Sequence, residues 1–128
     1  MAEPSPARIL VVDDEEPIRR TLDIMLQRRG YAVATAANAE EALAQLAQAA
    51  FDLVLVDLQL PGMNGLELAR IVERQQPSAT IVVLTGSSDF RGQPVEEQVG
   101  DFDYLLKTTS PADVLAHIAS VLARRRGM

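Results

Sequence analysis

A chain of 128 residues with 48% apolar and 23% charged residues has the size and composition of one globular domain with a proper core. It has no cysteine, which excludes a disulfide framework or thiolate metal site, and its net charge of −6 argues against nucleic-acid binding by this domain. Its apolar runs fall far short of a membrane span and its first residues are no signal peptide, so no membrane partner and a cytoplasmic setting are expected.

Residues 1–7, with Pro4 and Pro6 and no apolar pattern, read as a disordered leader; a single domain is expected over 8–126. Arg8 to Val12 form a first apolar strand that ends at Asp13-Asp14. Ile18, Leu22, Met25 and Leu26 then recur at helical spacing, with Pro17 tolerated in the first turn and Gly30 placed to close the helix. Tyr31 to Ala36 make a second strand. Asn38 and Glu41 fit a capping box before an Ala-rich helix with Leu43 and Leu46 inward. The run Leu53 to Val56 reads as a strand buried on both faces, ending in Asp57 and a Pro/Gly-rich turn. Asn64 and Glu67 repeat the capping pattern, Leu68, Ile71 and Val72 supply the next buried stripe, and Pro77 ends that helix. A fourth strand covers Thr80 to Leu84 and ends at Thr85-Gly86. Gly92 and Pro94 oppose a long helix in the next stretch, which predicts only a short one from Pro94 to Val99. The fifth strand, Phe102 to Leu106, ends at Lys107. Ser110-Pro111 then open a last helix whose core face is Val114, Leu115, Ile118, Val121 and Leu122, with His117 assigned to the solvated surface. Arg124, Arg125 and Arg126 complement the dipole at its end.

Five strands alternating with helices predict an α/β fold: a doubly wound, five-stranded parallel sheet of order 2-1-3-4-5, a flavodoxin-like (βα)5 three-layer sandwich. In such sheets chemistry collects at the carboxyl ends of the strands. Asp57 alone is equally a solvated residue opening a loop. The argument for a site is convergence: strand one delivers Asp13 and Asp14, strand three Asp57, strand four Thr85 and strand five Lys107. Two like charges about 4 Å apart repel by about 4 kcal/mol at an effective dielectric near 20, so three carboxylates require a cation or a proton. With oxygen donors only, a hard ion is selected, Mg²⁺ with Mn²⁺ as the other choice. Lys107 supplies a point charge and Thr85 a hydroxyl for a second anion, and a free carboxylate is a competent nucleophile toward phosphorus.

The segments Val11-Val12-Asp13-Asp14-Glu15, Asp57-Leu58-Gln59-Leu60-Pro61-Gly62-Met63-Asn64-Gly65, Leu84-Thr85-Gly86 and Tyr104-Leu105-Leu106-Lys107 together resemble the receiver domain of bacterial response regulators in two-component signalling, over roughly residues 8 to 123. The resemblance implies that Asp57 accepts a phosphoryl group from a sensor histidine kinase or phosphotransfer protein. It implies Asp14 as a direct Mg²⁺ ligand, Asp13 as an acid that helps hold the ion, and the backbone carbonyl of Gln59 as a further ligand. Thr85 and Lys107 match the residues that grip phosphoryl oxygens, and Tyr104 matches the aromatic switch that follows Thr85. Such a domain is no stand-alone metabolic enzyme; it catalyses its own aspartyl phosphorylation and dephosphorylation. It signals to a downstream protein target or output domain through the family's fourth helix, fifth strand and fifth helix.

Two positions depart from the family pattern. Thr108 replaces the proline that normally follows the lysine in a cis peptide bond, so Lys107-Thr108 is predicted trans. The stretch Ser87 to Gly100 is too irregular for the family's usual fourth helix. Both motivate an alternative, a degenerate receiver acting as a phosphorylation-independent interaction module. An aspartyl-phosphate phosphatase is a weaker reading, because nothing caps a substrate pocket. Flavin binding is weaker still, because Asp13-Asp14-Glu15-Glu16 repels phosphate when no metal is bound. The chain ends soon after the last helix, as either a stand-alone domain or a piece cut from a longer regulator or hybrid kinase.

Overall fold

The computed structural model describes residues 6–86, 89–90, 93–94 and 99–126. Five strands form one parallel sheet: β1 (Arg8–Val12), β2 (Ala32–Ala36), β3 (Leu53–Asp57), β4 (Thr80–Thr85) and β5 (Asp103–Leu106), in the order β2-β1-β3-β4-β5. This is the predicted doubly wound arrangement.

Alternation along the central strands divides the core in two. Ile9, Val11, Leu53, Leu55, Val82 and Leu84 face α1 (Glu16–Arg28) and the C-terminal helix (Pro111–Arg126). Leu10, Val12, Val54, Val56 and Ile81 face α2 (Ala39–Gln48) and α3 (Gly65–Gln75). Because both faces are covered, every residue of β3 is buried, including Asp57 at its end. A smaller cluster of Leu58, Val83 and Val99 packs Leu66, Phe102 and Tyr104 beside the site.

Local signals in the sequence act as expected at most ends. Gly30 adopts φ 90°; its amide donates to the Gln27 carbonyl and the Tyr31 amide to that of Leu26, the paired bonds of a Schellman ending. That bond takes Tyr31 out of the second strand, which starts at Ala32 instead. Asn38 caps α2 by accepting from the Glu41 amide at 2.8 Å, while the Glu41 carboxylate accepts from the Ala37 amide, one residue earlier than in a standard capping box. Asn64 caps α3 through the Leu66 amide. The buried face of α3 is Gly65, Leu68, Ala69 and Val72, with Ile71 only half-buried. Ser110 caps the C-terminal helix through the Asp113 amide, and Val114, Leu115, Ile118, Val121 and Leu122 are all buried.

Four further readings are refined. Ala7, assigned to the leader, is buried, and its carbonyl accepts from the Ala32 amide; residues 1–5 lie outside the described residues. The fifth strand starts at Asp103, because the Phe102 amide donates to the Val99 carbonyl. The short helix expected from Pro94 to Val99 does not include Pro94 itself, since Gln93–Pro94 pairs antiparallel with Asp89–Phe90 in a two-residue ribbon; residues 95–98 lie outside the described residues, and Val99 is helical. His117 is not a freely solvated side chain. Its Nε2 lies 2.6 Å from Asp103 Oδ2, and the ring is only 27% exposed.

Candidate functional site at the carboxyl edge of the sheet

The central strands all stop at one edge, and their register fixes what meets there. Val12 pairs with Val56, so Asp13 stands level with Asp57; Asp57 pairs with Leu84, so Thr85 follows one residue further along the adjacent strand. Thr85 pairs with Leu106, which brings Lys107 up beside them; the Lys107 amide donates to the Thr85 carbonyl at 2.8 Å. Asp13, Asp14, Asp57 and Lys107 thus converge, and the backbone of Thr85 is brought to the same edge.

Asp13 is fully buried and Asp57 nearly so, whereas Asp14 is exposed. Each of the three offers an oxygen within 4.8 Å of the others. The Asp13 carboxylate is anchored by the Glu15 amide on Oδ1, while the Arg19 guanidinium donates to the Asp13 backbone carbonyl at 2.8 Å. The Gln59 amide donates to Asp57 Oδ1 at 3.0 Å. Lys107 Nζ reaches Asp57 Oδ2 at 2.9 Å, Glu15 Oε2 at 2.7 Å and Asp13 Oδ1 at 3.3 Å.

The turn after β3 is held close to the site. Gln59–Leu60 pairs with Met63–Asn64 around Pro61-Gly62, with Gly62 at φ 77°, the positive angle that a type II turn needs at its third residue. The Gly65 amide then donates to the Leu58 carbonyl, and a Cβ on Gly65 would run into the Asp57 carbonyl oxygen. Gly65 is thus required for the close approach of α3 to the strand end. The resulting cleft, about 520 Å³, is lined by Asp14, Glu15, Asp57, Gln59, Leu60, Pro61, Gly86 and Lys107. Lys107–Thr108 is trans, as predicted, since no described peptide bond is cis.

The electrostatics are lopsided. Four carboxylates (Asp13, Asp14, Glu15, Asp57) against one ammonium leave a formal −3. Burial pushes the Asp57 carboxyl up to about 6; hydrogen bonds from Lys107 and the Gln59 amide pull it back, and the Asp13 charge adds to the rise. Burial also works against the Lys107 ammonium, yet its hydrogen bonds to Glu15, Asp57 and Asp13 outweigh that and hold its pKa above the ordinary lysine value. Lys107 is a fixed cation.

The donor set fits a hard divalent ion. It is all oxygen, and Asp13 Oδ2 is buried with no hydrogen bond, although Lys107 Nζ stands 3.1 Å away as an ion-pair partner. A buried carboxylate oxygen held by an ion-pair contact alone is one that a divalent ion can take up.

Thr85 is buried at the end of β4, on the same pleat face as Val83 and Tyr104, which pair across β4 and β5. Tyr104 is half-buried in the cluster with Leu58, Val83 and Val99. Two contributors carried no assigned role in the sequence reading: Arg19, which holds the Asp13 carbonyl, and Glu15, the shortest contact of Lys107. Glu15 stood inside the matching motif; Arg19 left no signal beyond its place one turn into α1.

A doubly wound sheet with an all-oxygen acidic cleft and a captive lysine at its carboxyl edge defines an α/β protein whose site suits a divalent ion. The chain belongs to the response regulator receiver domain family, whose profile matches residues 9–119. It is 36% identical over 124 residues to the transcriptional regulatory protein ResD of Bacillus subtilis, covering 97% of this chain and 51% of that protein. It is 39% identical over 120 residues to the phosphate regulon transcriptional regulatory protein PhoB of Pseudomonas aeruginosa, covering 91% and 52%. The chain thus spans about half the length of these curated relatives. Among solved structures, a receiver domain protein of Methanospirillum hungatei superposes with TM-score 0.85 at 32% identity, covering 96% of this chain and 98% of that one. The response regulator TrrA of Thermotoga maritima, in complex with Mg²⁺-BeF, matches with TM-score 0.74 at 37% identity, covering 91% and 98%. No described helix is long and apolar enough to cross a membrane.

Proposed function

We propose that residues 8–126 act as a phosphorylation switch in which Asp57 accepts a phosphoryl group from the phosphohistidine of a sensor kinase or phosphotransfer protein. The observation that carries this is the contact of Lys107 Nζ with Asp57 Oδ2, made inside a trio of carboxylates that needs a cation. Asp13, Asp14, Asp57 and the Gln59 carbonyl would hold Mg²⁺, or Mn²⁺ as an ion of the same class. When bound, the ion neutralises the acidic cluster and draws charge from the phosphoryl oxygens.

In the transfer an Asp57 oxygen attacks phosphorus, the new O–P bond forms as the donor's N–P bond breaks, and the electron pair of that bond returns to the imidazole nitrogen. Lys107 neutralises a phosphoryl oxygen from the sheet side, and the Thr85 hydroxyl donates to another. Little else is asked of the protein, since catalysis here is positioning and charge neutralisation. In dephosphorylation water attacks phosphorus, the O–P bond to Asp57 breaks and the carboxylate is regenerated. Movement of Thr85 toward the phosphoryl group would free space for Tyr104, whose face Thr85 shares, and alter the surface of β5 and the C-terminal helix offered to a protein target or output domain. A cytoplasmic setting suits that chemistry.

The test is incubation with Mg²⁺ and a small phosphodonor. Mass spectrometry should show one added phosphoryl group in the wild type and none in Asp57→Asn; equal labelling of both refutes the assignment. A phosphorylation-independent module is the second reading, favoured by the Asp89–Phe90/Gln93–Pro94 ribbon after β4 and by Thr108 in place of the family's proline. It predicts that beryllofluoride with Mg²⁺ binds without shifting amide resonances beyond the cleft.

A further inference from the structure

Lys107 has three N–H donors, and all three are engaged by carboxylates, from Glu15, Asp57 and Asp13. For Lys107 to hold an incoming anion, one of these must let go. Asp13 is fully buried, and Asp57 is itself the group that receives the phosphoryl. Glu15 differs from both. Its side chain is 56% exposed, it makes the shortest of the three contacts at 2.7 Å, and it lines the same cleft as Asp57 and Lys107. Its carboxylate can return to water at little cost, whereas either of the others would be stranded.

Resting on the reading of Asp57 as phosphoacceptor, we infer that Glu15 is a resident anion that fills the phosphoryl group's seat on Lys107 and is displaced when that group arrives. The contact is autoinhibitory. It keeps Lys107 extended toward the cleft in the resting protein, and any anion reaching Asp57 must first displace it. Glu15 is the N-cap residue of α1 yet makes no side-chain capping bond, so its carboxylate serves the helix only through the dipole and makes its hydrogen-bonding contact with Lys107 instead.

The experiment is a beryllofluoride titration followed by amide NMR at saturating Mg²⁺, comparing wild type, Glu15→Gln and Glu15→Asp. Saturating Mg²⁺ removes any effect of Glu15 on ion affinity. Gln keeps the shape without the charge; Asp keeps the charge but is one methylene too short to stay on Lys107. Removing the contact of a half-exposed Glu15 with the largely buried Lys107 should tighten beryllofluoride binding about fivefold in both variants. An unchanged or weakened affinity in either variant overturns the inference. If Glu15→Asp behaves as wild type while Glu15→Gln tightens, general charge rather than occupancy of the seat is responsible, and the inference fails. If wild-type protein binds no beryllofluoride with Mg²⁺, the phosphoacceptor reading falls and takes this one with it; if only the variants disappoint, the phosphoacceptor reading stands.

Discussion

Asp57 destabilises the metal-free fold in which it stands, and Asp57→Asn should make that visible. Its carboxyl is pushed from 3.8 to about 6, chiefly by burial. The native fold therefore binds that proton more tightly than the unfolded chain does. The stability this contributes is present in full below pH 3.8 and is lost as the pH rises through about 6. At 1.36 kcal/mol per unit, the ionised group at pH 7 costs about 2–3 kcal/mol relative to a neutral one. Asn keeps an oxygen for the Gln59 amide and carries no charge. In EDTA at pH 7, urea denaturation should find Asp57→Asn more stable by about 2–3 kcal/mol, or about 10 °C in Tm. The gap should shrink to about a third at pH 4.5, where the native wild type has taken up the proton. Saturating Mg²⁺ should narrow or reverse the gap, since only the wild type keeps all three acids. Equal stabilities at pH 7 without metal, or a gap that widens on acidification, would refute the reasoning.

Lys107→Ala strands Asp13 and Asp57 without their cation and should cost about 3 kcal/mol or more in EDTA, with much of the loss recovered on adding Mg²⁺ in a thermal scan. The same change should slow labelling by a phosphodonor more than tenfold, as expected when one preorganised charge is removed from a phosphoryl site. Gly65→Ala drives a methyl group into the Asp57 carbonyl and should lower the unfolding free energy measured in urea by about 3 kcal/mol or more, far beyond a helix-propensity effect. Arg19→Ala loses a charge-assisted bond to the Asp13 carbonyl and should cost about 1–2 kcal/mol, with weaker Mg²⁺ binding by calorimetry. Unchanged Mg²⁺ affinity would show that the Asp13–Asp14 loop keeps its shape without Arg19.

The fold was legible because its signals are local and redundant. β3 is apolar throughout until Asp57, which only a doubly covered strand tolerates, and Gly30, Asn38, Asn64 and Ser110 mark element ends by mechanisms confined to a few residues. The misses have a common cause. Tyr31 has strand propensity, but its amide is claimed by the Leu26 carbonyl; Phe102 likewise gives its amide to Val99. His117 lies off the apolar stripe of its helix, yet β5 sets Asp103 against it. Periodicity reports which face of an element is buried, and cannot report a partner from a distant segment that captures one polar group.

The same distinction separates the parts of the site. Asp13, Asp14, Asp57, Thr85 and Lys107 could be placed together because each ends a strand, and strand order alone brings strand ends together. Glu15 and Arg19 do not end strands. Their parts depend on rotamers: Glu15 folds back onto a lysine 92 positions away, and Arg19 returns to a carbonyl six residues behind it. Topology therefore predicts which charges share the cleft, and side-chain geometry decides which of them already occupies Lys107. A cleft with a formal −3 repels an anionic donor until the divalent ion arrives, so the cation should bind before the phosphoryl group. Phosphodonor labelling should then fall with Mg²⁺ depletion much more steeply than with donor dilution; labelling that persists undiminished in EDTA would contradict that order.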